Sequence, residues 1–359
     1  MPVKTIERTQ DFWLTPRDIY DYLDQYVIGQ ERAKRVISIA AYNHFKRVSA
    51  NREATRKGYQ LPLLKKSNIL MIGPTGCGKT HIARNLAQIM DVPFVVVDAT
   101  EYTEAGYYGK DVEVMLGELL YSADMDVEVA ERGIVFVDEI DKIARRYNGM
   151  KDGSGGRDIR GEGVQQALLK LLEGSKIFVP YNITQHWNKH DFVQMDSGNI
   201  LFICAGTFTD IYRGGRTRSA GFKRKEKADE ARPIEDRVTV EDLQRYGMLA
   251  EFIGRIPVIV ELSELSDDEM MRIVTEPPDA ILKEYKQLLA MDRIELELSE
   301  SAIREIVREA KRRKLGARGL RTIFEEVMQD IMFEAPELAG KRVVISASDV
   351  RKKLGRESA

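Results

Sequence analysis

The sequence predicts an α/β fold: a parallel five-stranded sheet flanked by helices, followed by a smaller, mainly helical α/β domain. Two observations predict it. Five short runs rich in valine and isoleucine are separated by stretches with helical periodicity, and beyond residue 262 the pattern changes to amphipathic helices. Strands that are apolar on both faces are typical of parallel sheets covered by helices on both sides.

Residues 1–66 are predicted to form a helical segment after a short tail. Thr15 and Pro16 suit the N-cap and first position of a helix, because proline has no N–H to leave unsatisfied there. The stretch QERAKRVISIAAYNHFKRV, residues 30–48, carries apolar side chains at helical spacing.

The α/β domain is predicted over residues 67–262. Its five strand candidates are NILMIG (68–73), PFVVVDA (93–99), GIVFVDEI (133–140), NILFICAG (199–206) and IPVIVEL (256–262). Residues 145–163 and 213–233 are rich in glycine and charge, which predicts two mobile surface loops.

The second domain is predicted over residues 263–359. Amphipathic periodicity predicts helices over Asp267–Met291 and Ser299–Arg313 and a third from about Ala317. Two short strand candidates, IELELS and RVVISA, accompany them.

Composition describes an ordinary globular protein. The 359 residues are 43% hydrophobic and 31% charged, and the net charge of −2 gives no reason to expect nucleic acid or an anionic membrane as a partner. Cys77 and Cys204 lie far apart and outside any zinc-ligand spacing. No run reaches membrane-spanning length and the N-terminus lacks a signal-peptide core, so we expect a cytoplasmic protein.

A phosphate-binding loop is predicted between the first strand candidate and the helix after it. The stretch GPTGCGKT fits the pattern G-x-x-x-x-G-K-[ST], in which glycines let backbone N–H groups surround phosphates. Lys79 would reach the terminal phosphates and Thr80 would hold Mg²⁺. The predicted nucleotide-binding residues here are Gly73, Pro74, Thr75, Gly76, Cys77, Gly78, Lys79 and Thr80.

A second motif, the acidic stretch IVFVDEID, completes the prediction of a nucleotide hydrolase. Asp138 ends the strand, where its carboxylate can coordinate the same Mg²⁺, and Glu139 beside it can polarise an attacking water. No Asn-Lys-x-Asp guanine-reading motif is present in the sequence, which disfavours a GTPase switch.

With these motifs in place, the chain resembles the ClpX family of AAA+ unfoldases, the ATPase partners of the ClpP peptidase. The resemblance covers nearly the whole chain. It is carried by LTPRDIYDYLDQYVIGQERAK, SNILMIGPTGCGKT, DATEYTEAGYYGKDVE, RGIVFVDEIDKIAR, GEGVQQALLKLLEG, ILFICAGTF, EFIGRIPV and LGARGLRTIFEE. It implies an AAA+ P-loop fold, a homohexameric ring, ATP and Mg²⁺ as ligands, and proteins as substrates.

The resemblance also implies roles for residues outside the two motifs. Val27 and Ile28 match residues that pack on adenine, and Arg255 matches an arginine finger inserted into a neighbour's site. Arg318 matches the sensor arginine of the second domain, and Thr207 lies near the sensor position of the fourth strand. Without the resemblance, an exposed ion pair would be an equally good interpretation of Arg255.

Two tyrosines between glycines, in TEAGYYGKDVE, match the substrate-gripping pore loop of this family. The matching residues are Gly106, Tyr107, Tyr108 and Gly109, with Tyr108 replacing a smaller aliphatic side chain. Further pore-loop candidates are Arg157, Lys189 and His190; Asn188 precedes the last two where the family usually has arginine, so one positive charge is missing.

Two departures from the family bear on partners. Ala220, Gly221 and Phe222 stand where the peptidase-docking loop usually has Ile-Gly-Phe. The change removes about 1–3 kcal/mol of apolar burial per loop, which leaves partnership with a ClpP-like peptidase open. The usual four-cysteine zinc domain does not precede the AAA+ module in this sequence, so we expect no zinc, and adaptor recognition does not carry over.

Three functions are therefore weighed. The first is an ATP-driven unfoldase and translocase that feeds a ClpP-like peptidase. The second is a remodelling chaperone that works without a peptidase, which Ala220 favours. The third is a nucleic-acid AAA+ motor, which should show basic pore residues or an added DNA-binding domain. We expect neither nucleic acid nor membrane among the partners.

Overall fold

The computed structural model describes residues 14–58, 66–103, 110–145, 159–180, 192–209, 211 and 237–355. Its helices in chain order are α1 Pro16–Tyr26, α2 Glu31–Lys57, α3 Lys79–Met90, α4 Val114–Ser122, α5 Val127–Ala130, α6 Ile159–Glu173, α7 Val240–Tyr246, α8 Ala250–Gly254, α9 Asp267–Thr275, α10 Ile281–Met291, α11 Glu300–Arg312, α12 Ala317–Phe333 and α13 Ala347–Lys353. Its strands are β1 Ile69–Ile72, β2 Phe94–Asp98, β3 Tyr102–Thr103, β4 Lys110–Asp111, β5 Ile134–Asp138, β6 Lys176–Pro180, β7 Phe192–Asp196, β8 Leu201–Gly206, β9 Val258–Glu261, β10 Glu295–Leu298 and β11 Arg342–Ile345.

The central sheet has five parallel strands in the order β2-β5-β8-β1-β9, and each predicted run contains one of them. The predicted fold class is confirmed. Because all the strands are parallel, their carboxyl ends meet at one edge of the sheet. Asp98 and Asp138 lie opposite each other there, at the ends of β2 and β5.

Apolar residues on both faces of each strand are explained by two separate cores. Ile69 and Met71 of β1 join a buried cluster with residues of α1, α2 and α3, whereas Leu70 and Ile72 join one with residues of α4 and α6. Successive side chains of a strand point to opposite faces, so a strand covered on both sides must be apolar throughout.

Helix α1 begins as the sequence predicts. Thr15 is its N-cap and Pro16 its first residue. The Thr15 hydroxyl accepts from the Asp18 N–H, and the Asp18 carboxylate accepts from the Thr15 N–H, which completes a capping box. This cap fixes where the chain enters the cluster beneath the sheet.

Beyond β9, a third buried cluster is formed by α9–α13 with the parallel pair β10 and β11. The prediction of one helix over Asp267–Met291 is wrong, because α9 ends at Thr275 and α10 begins at Ile281. Pro277 and Pro278 fall between them. Proline lacks the N–H that an interior helical position must donate, and it disfavours helical geometry in the residue before it.

Two further differences concern loops and strands. The predicted loop 145–163 is wrong at its end, because α6 already begins at Ile159, and residues 146–158 lie outside the described residues. The antiparallel pair β6–β7 was not predicted. Within the described ranges, no helix is long and apolar enough to cross a membrane.

Candidate active site

The loop between β1 and α3 has the backbone of a phosphate-binding loop. Gly76 and Gly78 have φ of 79° and 102°, a region that side-chain-bearing residues rarely adopt. Gly78 is the N-cap of α3, so the positive end of that helix and its free N–H groups face the loop. An anion is the ligand that this arrangement favours.

Lys79 is held against the same loop. Its side chain is only 7% exposed, and its ammonium donates to the carbonyl oxygens of Gly73 at 2.7 Å and Pro74 at 3.0 Å. A Cβ at Gly73 would lie 2.8 Å from the carbonyl oxygen of Leu262, so no larger residue fits there. The ammonium thus lies at the loop, and among the described residues its hydrogen-bond partners are these two carbonyl oxygens and no carboxylate.

The acidic pair, Asp138 and Glu139, lies at the end of β5, which is separated from β1 by the strand β8. Asp138 is half-buried and its Oδ1 accepts from the Glu139 N–H at 2.9 Å. Glu139 has φ of 55°, a left-handed conformation that costs energy in a non-glycine residue, and it is exposed. The backbone therefore turns sharply after Asp138 and presents the Glu139 side chain to solvent.

Arg318, near the start of α12, approaches Asp138 of the acidic pair. Its guanidinium Nη2 lies 3.8 Å from Asp138 Oδ2. The N–H of Ala317 donates to the carbonyl oxygen of Gly76 at 3.2 Å, and a Cβ at Gly316 would lie 2.8 Å from the carbonyl oxygen of Thr75. The start of α12 therefore packs directly on the phosphate-binding loop.

A cavity of about 470 Å³ lies between this loop, the end of α1 and the helical C-terminal part. Many of the predicted nucleotide-binding residues line it: Val27, Ile28, Gly76, Cys77, Gly78, Lys79, Thr80 and Arg318. Gly73, Pro74 and Thr75 complete the loop without lining the cavity, and neither Asp138 nor Glu139 lines it; Asp138 is linked to the cavity through Arg318, which does.

The cavity has an apolar side and a cationic side. Val27, Ile28 and Leu265 are buried apolar side chains in its wall, whereas Arg84 and Arg318 contribute positive charge. A nucleotide has the same two sides, a flat base and anionic phosphates. Burial also raises the pKa of the Cys77 thiol, so Cys77 lines the cavity as a neutral group.

Sequence reasoning missed much of the lining. The missed residues are Tyr26, His81, Arg84, Leu265, Ile273, Pro277, Asp279, Ala280, Ile281, Ala317 and Arg321. Arg84 had a readable signal, because it follows Thr80 by four residues on α3 and therefore lies on the same face of the helix; His81 is three residues before Arg84, a spacing that also brings two side chains together. The residues beyond β9 had none, since their place depends on how the third cluster packs on the loop.

Arg255 lies on the surface in an ion pair with Glu173, with 2.7 Å between Nη2 and Oε1. Its backbone is fixed, because the Asn68 side chain donates to its carbonyl oxygen at 2.8 Å. Within a single chain, the structure does not bring Arg255 to the cavity. Thr207 follows β8, and its hydroxyl donates to Asp141, a buried carboxylate that sequence reasoning did not single out.

The remaining predicted sites lie outside the described residues. They are the pore-loop candidates Gly106, Tyr107, Tyr108, Gly109, Arg157, Lys189 and His190, and the docking candidates Ala220, Gly221 and Phe222.

Comparison with known proteins agrees with this geometry. Residues 64–259 match the family model described as AAA domain (Cdc48 subfamily), and residues 265–343 match the C-terminal, D2-small domain, of ClpB protein. The ATP-dependent Clp protease ATP-binding subunit ClpX of Treponema denticola is 43% identical over 343 residues, which span 92% of this chain and 80% of that protein. The chain belongs to the ClpX family of AAA ATPases.

Proposed function

We propose that the chain is an ATP-driven protein unfoldase and translocase that works as a homohexameric ring. The observation that carries the ATPase part is the cavity in which the phosphate-binding loop, the apolar pair Val27–Ile28 and Arg318 meet. The relative that is 43% identical is named an ATP-binding subunit of an ATP-dependent protease, which supports the unfoldase part.

We divide the module into three parts. Residues 1–66 form an N-terminal helical segment, residues 67–262 the large ATPase domain and residues 263–359 the small domain. The three buried clusters support the second boundary, because the third cluster contains no residue from before Leu265. In this division the nucleotide lies between the two domains.

Phosphates are held by the loop itself. The N–H groups at the start of α3 donate to phosphate oxygens, and the Lys79 ammonium exchanges its carbonyl partners for the terminal phosphates. The Thr80 hydroxyl and the Asp138 carboxylate would hold Mg²⁺, for which oxygen atoms are the preferred ligands. Bound there, Mg²⁺ supplies neutralisation of the charge that develops on the transferred phosphate.

Glu139 acts on the water. Its exposed carboxylate, placed one residue after Asp138 by the left-handed turn, accepts a hydrogen bond from the attacking water and orients it towards the terminal phosphate. Arg318 contributes positive charge from the small domain and senses whether a nucleotide is present, because it approaches Asp138 from the start of α12, which bonds to the phosphate-binding loop.

The ring supplies the rest. Arg255 leaves Glu173 and enters the cavity of the neighbouring subunit, where a guanidinium stabilises the transition state. Tyr107 and Tyr108 grip the polypeptide in the central channel, and Ala220 to Phe222 form the docking loop for a ClpP-like peptidase. Of the parts of this proposal, the peptidase contact has the least support from the sequence, because Ala220 stands where the docking loop usually has isoleucine.

The test is ATP-dependent unfolding of a stably folded fluorescent reporter that carries a panel of unstructured C-terminal tails. We expect fluorescence loss with ATP and Mg²⁺ for at least one tail, and none with the Glu139→Gln ring. The same assay with the peptidase of the same source separates the two chaperone functions. Cleaved reporter indicates a protease subunit, unfolded and intact reporter a remodelling chaperone, and ATP turnover stimulated only by DNA would contradict the proposal.

A further inference from the structure

A buried carboxylate joins the ends of two neighbouring strands beside the site. Asp141 lies in the 3₁₀ turn Ile140–Ile143 that follows β5, and it is 2% exposed. Its carboxylate accepts two hydrogen bonds from Thr207 after β8, from the backbone N–H at 3.2 Å and from the hydroxyl at 2.9 Å. Both donors come from one residue, so the contact fixes the backbone and the side chain of Thr207 together.

The end of β8 is shaped to admit this carboxylate. A Cβ at Gly206 would lie 2.7 Å from Asp141 Oδ1, closer than real contacts allow. Gly206 therefore gives Asp141 access to the N–H of Thr207. Burying an ionised carboxylate costs energy unless it is hydrogen-bonded, and in the described residues these two donors are the ones it has.

Backbone strain lies on both sides of the contact. Glu139 precedes Asp141 with φ of 55°, and Phe208 follows Thr207 with φ of 46°. Such conformations persist where surrounding contacts enforce them, and they cluster at functional sites. The Lys142 N–H donates to the Glu139 carbonyl oxygen at 2.9 Å, so the turn that holds Asp141 also holds Glu139.

We propose that Asp141 is a positioning residue for ATP hydrolysis. By holding Thr207, it locks the end of β8 to the turn that carries Glu139, so that the carboxylate that orients the water stays in register with the sheet edge. Asp141 itself does not line the nucleotide cavity, which excludes direct contact with the base or ribose in this geometry. The inference rests on the proposed ATPase function and adds a residue to it.

The test compares two substitutions at Thr207 in the assembled ring. Thr207→Val keeps the shape and removes the hydroxyl, whereas Thr207→Ser keeps the hydroxyl. We expect Thr207→Val to lower kcat about tenfold, the effect of one lost hydrogen bond to a charged group, while the Kd for ATP stays within about twofold. Thr207→Ser should recover most of that loss. Equal effects of the two changes, or a loss of affinity as large as the loss of turnover, would overturn the proposal.

A double-mutant cycle with Asp141→Leu tests whether the two residues act as one unit. The double variant should turn over no more slowly than the slower single variant, because the second change removes a contact already lost. Multiplying effects would show independent roles. If Asp141→Leu fails to fold, the comparison of Thr207→Val with Thr207→Ser still tests the proposal. If the wild type does not hydrolyse ATP, the ATPase function is overturned as well. If the wild type hydrolyses ATP and Thr207→Val has the same kcat, only this inference is overturned.

Discussion

The guanidinium of Arg318 lies 3.8 Å from the carboxylate of Asp138, although α12 and β5, which carry them, contribute side chains to separate buried clusters. The Arg318 side chain is 65% exposed, and an ion pair so exposed contributes little to the stability of the fold. The short distance instead follows from the position of α12, because the N–H of Ala317, beside Arg318, donates a hydrogen bond to the phosphate-binding loop. We therefore expect nucleotide binding and the position of the small domain to be connected at this pair.

Arg318→Ala should lower ATP turnover more than it lowers the melting temperature. Removing one oriented donor from a phosphoryl-transfer site costs on the order of 10²–10³ in rate, whereas an exposed ion pair is worth at most about 1 kcal/mol. Steady-state ATPase assays and thermal melts measure the two effects. Arg304→Ala is the matched control, because Arg304 is an exposed arginine on the preceding helix, α11, that pairs with Glu300. Equal ATPase rates in both variants would rule out a role for Arg318 in the site.

Glu139→Gln should bind ATP with unchanged affinity and fail to turn it over. Glutamine keeps the size of the side chain and loses the carboxylate that accepts the proton of the water, and Glu139 is not required as a metal ligand in the proposed site. Binding is measured with a fluorescent ATP analogue and turnover by phosphate release. A wild-type rate in the variant would remove Glu139 from the mechanism.

Lys79→Ala should show the opposite pattern, with the loss in affinity itself. The Lys79 ammonium lies on the phosphate-binding loop, 2.7 Å from the Gly73 carbonyl oxygen, so its charge is available to the bound phosphates. The same two assays apply. Tight ATP binding by Lys79→Ala would show that the backbone N–H groups hold the nucleotide without it.

Arg255→Ala should still assemble into rings but hydrolyse ATP slowly. The rate of hydrolysis should fall by a factor on the order of 10³–10⁵ if the arginine acts in a neighbour's site. Its ion pair with Glu173 makes the alternative testable. If Arg255 served only that surface pair, Glu173→Gln would cause the same loss, whereas we expect the Glu173 variant to hydrolyse normally. Turnover should partly return when Arg255→Ala is mixed with Glu139→Gln, since an intact finger then meets an intact site at some interfaces. No recovery at any ratio would argue against action between subunits.

His44 should make the fold sensitive to acid. It is buried beneath the sheet, with Nε2 2.9 Å from the Asn199 carbonyl oxygen and Nδ1 unpartnered among the described residues. Burial, with the nearby charges of Arg47 and Lys66, lowers the pKa of His44 from 6.5 to about 3. Between those values the unfolded chain binds more protons than the folded one, so the free energy of unfolding falls as the pH is lowered.

The measurement is chemical denaturation at pH 6.5, 5.5 and 4.5 in the wild type and in His44→Gln. Glutamine can still donate to the Asn199 carbonyl oxygen and does not titrate. Carboxylates contribute to the slope in both proteins, so the difference isolates His44, at about 1.4 kcal/mol for each pH unit. Parallel slopes would show that His44 accepts its proton in the folded state.

The fold was largely predictable because its information is local. Each central strand is apolar on both faces whatever its neighbours are, and the phosphate-binding loop is one contiguous motif. The break between α9 and α10 was also readable in Pro277 and Pro278, but helical periodicity on both sides obscured it. The pair β6–β7 was not, since Phe178 and Phe192 occupy exposed positions, so that apolar and polar residues do not alternate in the sequence although burial alternates along the strands.

The site was predictable only in part, for a different reason. Residues of the loop and of β5 carry their chemistry in sequence, whereas Ile273, Asp279 and Arg321 reach the cavity because one buried cluster packs against another. Asp141 stood beside the recognised acidic pair, yet its partner Thr207 is 66 residues away. Contacts of this kind follow from tertiary packing, which a single sequence does not specify.

Tyr107 lies outside the described residues, and its role is assigned from the sequence. The chain on either side of it is well anchored. Thr103 of β3 pairs with Asp111 of β4, and the Lys110 ammonium bonds to Glu118 at 3.0 Å and to Glu101 at 3.1 Å. These contacts are made by residues other than Tyr107, so the same residues remain to hold the two ends of the segment in Tyr107→Ala.

Tyr107→Ala should keep ATP turnover and hexamer assembly and lose the unfolding of stable substrates. An aromatic ring can press on a polypeptide of any sequence, so its loss uncouples hydrolysis from movement of the chain. Tyr108→Val, which keeps an aliphatic side chain, should have a milder effect. Tyr121→Ala is the control, because Tyr121 is a 74% exposed tyrosine on α4 of the same domain. Unfolding of the fluorescent reporter per ATP hydrolysed is the quantity to compare. If Tyr107→Ala instead disperses the hexamer while each assembled ring still unfolds the reporter, the tyrosines pack between subunits and do not grip the substrate.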